Sequence, residues 1–253
     1  MGKPIVLGYG GGRQTAAICV AIKRGLLPRP ERVVMADTGR ESSATWAYLR
    51  DHMGPYLARI GLRVEIAPHS LATKDLYGGE DGTTLLIPAW TETSKLSAWC
   101  SGEWKREVVH RYLTAQGVRD RIHWLGYSLD EMRRMHAPRV SFVEHGFPLI
   151  DPLRWRVSKC EEVVAEEGLP PAPKSACWCC PHWKRHQWKE MRDNRPADFA
   201  KACILDGEIR ANDGRGGVYL YEGRVPLALA DLDTPEREEP NLFTACESGH
   251  CWT

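Results

Sequence analysis

Short apolar strands alternate with helical patterns through the first part of the chain, and this alternation constrains the fold more than any other feature. Strands are predicted at 5–9, 32–36, 63–66 and 121–125, and helices with regularly spaced apolar residues at 15–23, 42–60 and 103–114. Strands that are separated by helices usually pair in parallel, with helices covering both faces of the sheet. The sequence therefore predicts an α/β fold around a parallel sheet.

The pattern changes after the first 155 residues. Residues 156–253 hold most of the cysteines, three predicted helices at 158–167, 184–193 and 197–209, and a predicted hairpin at 218–227. A Pro-Pro-Ala-Pro connector at 170–173 is stiff. We predict an α/β domain over 1–155 and a cysteine-rich, mainly helical C-terminal region over 156–253.

The composition restricts the binding partners and the cellular compartment that we expect for this protein. The 253 residues carry 34 Lys and Arg against 33 Asp and Glu, so a nucleic-acid or lipid contact would require a local basic patch. No apolar run approaches the roughly 20 residues of a membrane helix, and the N-terminus lacks a signal-peptide pattern. We expect a cytoplasmic protein with no membrane partner. In such a compartment, nine unevenly placed cysteines favour metal or thiol chemistry over disulfides.

Three consecutive glycines follow the first strand and precede the first helix. Gly10, Gly11 and Gly12 let backbone amides approach an anion, and the helix N-terminus adds partial positive charge. The spacing of a Walker loop and that of the dinucleotide fingerprint are both absent. Phosphate binding is the favoured interpretation, and a tight turn is the alternative.

Four segments resemble, in order, the motifs of the phosphoadenosine phosphosulfate (PAPS) reductase family of the adenine nucleotide alpha hydrolase (PP-loop ATP pyrophosphatase) superfamily. Residues 8–15 are similar to its glycine loop, 36–41 to its Asp-Thr-Gly-x-Glu, 100–105 to its Cys-x-x-x-x-Lys, and 125–131 to its Gly-x-Arg-x-Asp-Glu. The resemblance implies a Rossmann-like nucleotide alpha hydrolase core that binds ATP or a PAPS-like adenine nucleotide, with Mg²⁺ as an accompanying ion.

The resemblance also implies site residues. Nucleotide-binding positions would be Tyr9, Gly10, Gly11, Gly12, Arg13, Gln14, Thr15, Asp37, Thr38, Gly39, Gly126, Tyr127, Arg133 and Arg134. Catalytic positions would be Asp37, Lys105, Cys100 and Cys251. Guanidinium forks and ammonium groups suit phosphate or sulfate oxygens, whereas a charged helix residue is often only solvated. Asp37 ends a predicted strand and is placed for a metal or a ribose hydroxyl, or alternatively caps the next turn.

The chain departs from the family pattern at three positions. Gln14 stands where ATP pyrophosphatases carry Asp, and Gly8 stands where they carry Ser. These changes remove a carboxylate and a hydroxyl, which weakens the case for magnesium-assisted cleavage. Tyr127 fills a position where sulfonucleotide reductases often have Arg, although Arg133 and Arg134 could substitute.

The cysteines allow several interpretations. Cys177 and Cys180 have the spacing that brings two thiolates onto one metal. Resemblance to cluster-dependent members of the superfamily implies Cys100 as a third ligand of an iron-sulfur cluster. A zinc site with a fourth ligand is an alternative, and buried thiols are another. The terminal Cys251 and Cys246 faintly resemble a reductase tail with a nucleophilic thiol, although termini are usually frayed without function.

Three functions follow. The first is ATP-dependent, adenylylating sulfur transfer, with a sulfur donor protein and a nucleic-acid acceptor. The acceptor would bind the Trp- and Lys/Arg-rich stretch 178–189. The alternative for that stretch is an ordinary amphipathic helix. The second is a thiol-dependent reductase of PAPS or a related sulfonucleotide, served by a thioredoxin-like reductant. The third is a non-catalytic nucleotide-binding or zinc-dependent nucleic-acid-binding module.

Overall fold

The structure is a computed structural model that describes residues 2–213 and 217–234. Its strands, in chain order, are β1 (Ile5–Gly8), β2 (Arg32–Ala36), β3 (Val64–Ala67), β4 (Tyr77–Gly78), β5 (Thr84–Leu85), β6 (Trp90–Thr91), β7 (Arg121–Trp124), β8 (Val143–Gly146) and β9 (Val218–Tyr219). Four of the strands of the main sheet, β1, β2, β3 and β7, fall within a residue or so of the predicted ones. The fifth, β8, was not predicted, because its sequence has no apolar pattern. Only Val143 of its four residues is buried in the structure.

The helices begin close to where apolar periodicity begins. They are α1 (Arg13–Lys23), α2 (Ser43–Tyr48), α3 (Gly54–Ala58), α4 (Glu107–Ala115), α5 (Val157–Glu166), α6 (Arg185–Asn194) and α7 (Pro196–Asn212). A π-helical segment, Leu49–Met53, joins α2 to α3, and another, Ser101–Arg106, leads into α4. Shorter 3-10 turns occupy His69–Leu71, Leu129–Arg134 and Leu227–Leu229. The single predicted helix at 42–60 is therefore two α-helical pieces with one π-helical piece between them.

The described chain divides into two compact units. Unit 1 comprises residues 2–72 and 104–176, and unit 2 comprises residues 73–103, 177–213 and 217–234. These limits differ from the sequence-based division at residue 155. The difference arises because α5, which follows residue 155, buries Cys160, Val163 and Val164 in the core of unit 1.

Unit 1 is built on a five-stranded sheet in the order β3-β2-β1-β7-β8, and every neighbouring pair is parallel. Helices cover both faces. On one face α1, buried from Thr15 to Ile22, packs in a core with α5. On the other face Val108, Val109 and Leu113 of α4 pack on strand residues such as Val34. The predicted parallel α/β sheet with two covered faces is confirmed, and it aligns the carboxyl ends of β1, β2 and β7 at one edge.

Unit 2 combines two small antiparallel sheets with helices α6 and α7. One sheet pairs β4 with β5, and the other pairs β6 with β9 through Trp90↔Tyr219 and Thr91↔Val218. The predicted local hairpin at 218–227 is wrong, because β9 pairs with a strand more than a hundred residues earlier in the chain. The mainly helical character predicted for the C-terminal region is confirmed in α6 and α7.

Within 2–213 and 217–234, no helix combines the length and the apolar character needed to cross a bilayer.

The partly buried carboxylate of Glu167, which directly follows α5, is bonded to residues at the end of α1. Glu167 accepts hydrogen bonds from Lys23 Nζ at 2.5 Å, Arg24 Nε at 2.8 Å and Tyr56 Oη at 3.0 Å. These donors, Lys23 first, lower the pKa of Glu167 to about 2. A carboxylate with a depressed pKa stabilises the fold above its unfolded pKa, and this stability is lost as the pH falls through the folded pKa.

Glu167→Gln should therefore lower the free energy of unfolding by about 1–2 kcal/mol at pH 7, allowing for solvent screening. The difference from the parent should shrink as the pH falls from 4.5 towards 2, the interval over which the native carboxylate becomes protonated. Urea unfolding at pH 7 and pH 3 measures both values. Glu166→Gln, on the exposed side of α5, is the matched control and should have the smaller effect. An equal loss at both pH values would contradict the prediction.

Candidate functional site in unit 1

The glycine loop (residues 9–12) joins the end of β1 to the start of α1. Gly12 caps the helix with no side-chain hydrogen bond, and the first intrahelical bond runs from Ala16 N to Gly12 O at 3.0 Å. The first amides of a helix have no intrahelical acceptor, and Gly10 is exposed in front of them. The loop therefore presents backbone donors and the positive end of the helix dipole, which is an arrangement suited to a phosphate.

Two side chains from elsewhere in unit 1 hold this loop. Gly11 has φ +76°, and a Cβ there would lie 2.3 Å from Thr45 Cγ2 of α2. The Ser175 hydroxyl donates a hydrogen bond to the carbonyl of Gly10. Only glycine fits position 11 because both the backbone angle and the space exclude a side chain. Sequence reasoning missed Ser175, which carries no motif and lies just before the cysteine cluster.

Gln14 is connected to the segment that follows β7. Its Nε2 donates to Glu131 Oε2 at 2.9 Å, and Arg134 donates to the other oxygen of the same carboxylate. The guanidinium of Arg134 lies 4.6 Å from the centre of the Tyr127 ring. The structure thus brings three predicted positions, Gln14, Tyr127 and Arg134, together around Glu131. Sequence reasoning quoted Glu131 within its motif but did not select it.

Asp130, beside Glu131, has a structural role. It accepts hydrogen bonds from Val157 N at 2.7 Å and Arg156 Nη1 at 2.9 Å at the start of α5. The Val157 amide, with Arg156, holds the pKa of the Asp130 carboxyl below its usual range. This contact anchors the 3-10 turn that carries Arg133 and Arg134. Arg133 itself is exposed.

The remaining loop positions fall into different environments. Arg13 forms a salt bridge of 2.6 Å with Glu161 of α5. Tyr9 is 2% exposed and packs in the core, where burial raises the pKa of its hydroxyl, so only its backbone belongs to the loop. Gly126 approaches α1 so closely that a Cβ there would lie 2.7 Å from Thr15 Cγ2.

Asp37 follows β2 at the same edge of the sheet. Its Oδ1 accepts a hydrogen bond from Gly39 N at 2.7 Å, and the buried Thr38 accepts one from Arg40 N at 3.2 Å. Asp37 therefore caps its own turn through one oxygen. Its Oδ2 accepts no hydrogen bond from the described residues, which leaves this oxygen for a ribose hydroxyl or a cation.

Lys105 and Glu41 join two of the motif segments. Lys105 Nζ lies 3.6 Å from Glu41 Oε2, and Thr45 Oγ1 donates to Glu41 Oε1 at 3.3 Å. The Glu41 side chain is only 1% exposed, whereas that of Lys105 is 40% exposed. Glu41 thus positions a partly exposed cation, and through Thr45 it is linked to Gly11. Its position in the Asp-Thr-Gly-x-Glu segment was the signal that could have identified it.

The clustered cysteines belong to unit 2. Cys177 and Cys180 lie at the ends of one turn, in which the Cys177 carbonyl accepts from Cys180 N at 3.0 Å and from Trp183 Nε1 at 2.9 Å. Cys100 lies in the same unit. The cysteines in the described ranges form no disulfide. In the same ranges, no three or more His, Cys, Asp or Glu side chains are placed to hold a metal ion. We therefore derive no chemical step through a cluster, and the ligand set stays a prediction.

The basic, Trp-rich stretch is mainly a packing element of unit 2. Trp183 and Trp188 are 4% and 0% exposed. The cations around them have acidic partners: Lys184 pairs with Glu222 at 3.0 Å, and Lys189 pairs with Asp193 at 2.7 Å. These contacts favour the amphipathic-helix interpretation over a stacking surface for nucleic acid.

The predicted tail thiols, Cys246 and Cys251, lie outside the described residues.

No family model matches the sequence, and no curated protein matches it. The solved structures that are similar to the chain include the following two. One is phosphoadenylyl-sulfate (PAPS) reductase from Candida auris in a phosphate complex, with TM-score 0.45 and 13% identity over 70% of this chain and 83% of that one. The other is the U34-tRNA thiolase NcsA from Methanococcus maripaludis with its [4Fe-4S] cluster, with TM-score 0.42 and 16% identity over 83% of this chain and 70% of that one.

Similarity at this level supports no argument about chemistry, so the fold rests on the topology of the chain itself. Unit 1 is an α/β unit with five parallel strands, helices on both faces and a glycine loop at the carboxyl edge of its central strand. This is the Rossmann-like core that the sequence predicts.

Proposed function

We propose that the chain is a nucleotide-binding enzyme resembling the PAPS reductase family, and that it transfers sulfur by first adenylylating an acceptor with ATP. The observation that carries the proposal is the glycine loop together with its connections. The loop presents helix-terminal amides, Gln14 joins it to the Glu131 segment, and Thr45 joins it to the Glu41–Lys105 pair. Segments that are distant in sequence thus meet around one anion-binding edge.

In this proposal the loop amides bind the phosphates, and the exposed part of Lys105 adds positive charge. An oxygen of the acceptor attacks the α-phosphorus, the bond to pyrophosphate breaks, and pyrophosphate leaves. Hydrosulfide then attacks the carbon that bears the activated oxygen. The C–S bond forms, the C–O bond breaks, and AMP leaves with the acceptor oxygen. Asp37 Oδ2 would hold Mg²⁺ or the ribose. Cys100, Cys177 and Cys180 would be the ligands of an iron-sulfur cluster, and no step of the proposal depends on it.

Product analysis tests this proposal. Anaerobically purified protein, incubated with ATP, sulfide and an RNA or DNA pool, should form AMP and pyrophosphate in equal amounts, and only when an acceptor is present. Iron, acid-labile sulfide and zinc are counted per chain on the same sample. If the protein instead releases sulfite from PAPS, the proposal is wrong and the protein is a reductase of PAPS. If the protein binds ATP but turns over neither ATP nor PAPS, the proposal is wrong and the protein is a non-catalytic nucleotide-binding module.

A further inference from the structure

His123 lies against Gly8, the last residue of β1, which directly precedes the glycine loop. It is on β7, beside β1 in the sheet, in register with Val6. A Cβ built on Gly8 would lie 2.6 Å from His123 Nε2 and 3.3 Å from Cδ2. The imidazole therefore fills the space that a side chain at position 8 would occupy, where β1 leads into the glycine loop. No sequence motif pointed to it.

The ring has an unused hydrogen-bonding capacity. Its nitrogens have no hydrogen-bond partner among the described residues, and the side chain is partly exposed. A neutral imidazole carries one donor and one acceptor, and such a group gains from a partner when it leaves water. The ring is directed towards Gly8, the last residue of β1, which directly precedes the glycine loop. A phosphate held by that loop is therefore a partner of matching polarity.

The charge state of the ring follows from its surroundings. Burial, and then the nearby Arg121 and His145, lower the pKa of His123 to about 3. His145 is the neighbour in register on β8, and burial lowers its pKa as well. His123 is therefore neutral at every pH at which the protein would work, and its contact with an anion is a hydrogen bond and not an ion pair.

We infer that His123 is a phosphate-recognition residue of this site, whose imidazole N–H donates to an oxygen of the nucleotide phosphate held by the glycine loop. This inference rests on the proposed function, since it requires a nucleotide at the loop. It adds a neutral side-chain donor to the backbone amides and the Lys105 ammonium of the proposed site, and it explains why position 8 carries no side chain.

Calorimetric titration of the full chain with ATP, at pH 5.5 and pH 8, tests the inference. His123→Phe keeps the ring volume and removes the N–H, and it should weaken ATP binding about tenfold, as expected for one hydrogen bond to a charged group. His123→Gln retains a donor and should recover most of the affinity. The tenfold loss should be the same at both pH values, whereas a cationic histidine would give a larger loss at pH 5.5.

Gly8→Ala provides a second variant that leaves His123 in place. Its methyl group would displace the ring, so ATP affinity should fall by a similar factor, and thermal unfolding of each variant reports on folding. If the parent binds ATP and both His123→Phe and Gly8→Ala bind it equally well, the inference is overturned and the proposed function stands. If the parent itself binds no ATP, the proposed function fails and this inference fails with it.

Discussion

Replacing Gly11 with alanine should lower the free energy of unfolding by about 3 kcal/mol and abolish measurable nucleotide binding. Two independent costs add at this position. The backbone angle of φ +76° is unfavourable for any residue with a Cβ, and the new atom would lie 2.3 Å from Thr45 Cγ2. Relief of that clash must move either the loop or α2, and the loop amides would lose their common direction.

Gly10→Ala is the matched control for this prediction. It makes the same chemical change one residue away, where nothing lies within 4 Å of the added atom. We expect its unfolding free energy to stay within about 0.5 kcal/mol of the parent. Urea unfolding gives both stabilities, and ATP titration gives both affinities. Equal stability of the two variants would show that Thr45 does not confine the loop.

Asp206→Ala in unit 2 should lower the free energy of unfolding at least as much as Gly11→Ala does. Asp206 is 1% exposed on α7, and its Oδ1 accepts from Leu220 N at 2.8 Å. Its Oδ2 accepts from Leu227 N at 2.9 Å and from the guanidinium of Arg210. Truncation leaves two buried amides and one guanidinium without this acceptor, and each buried group left unpaired costs about 1–3 kcal/mol. We expect a total loss of about 3–5 kcal/mol.

Glu208→Ala separates this effect from a simple change of charge. Glu208 is exposed on the same helix two residues away, so its removal should alter the unfolding free energy by less than about 0.5 kcal/mol. Hydrogen exchange adds a local readout, because the amides of Leu220 and Leu227 should lose protection in Asp206→Ala. Unchanged protection at both amides would contradict the assigned role.

The sequence by itself determined the regular elements and the type of site. Four of the five parallel strands, the helices beside them and the glycine loop follow from spacing that repeats within ten or fifteen residues. Such spacing reports which side chains are buried on which face, and it depends only on local backbone geometry. The four motif segments were also visible, since each is contiguous. Their residues Gln14, Asp37 and Lys105 all lie in unit 1, where the parallel sheet brings strand ends to one edge.

Only the tertiary structure decided which side chains meet. Glu131 reaches Gln14 across 117 residues, Ser175 reaches Gly10 across 165, and β9 pairs with β6. The contacts of His123 with Gly8 and of Glu41 with Lys105 are likewise tertiary contacts. No local pattern encodes these contacts, because they depend on the order of strands in the sheet and on the path of the chain between them. Periodicity specifies that a residue is buried, whereas the partner that it is buried against is set by the packing of the whole unit.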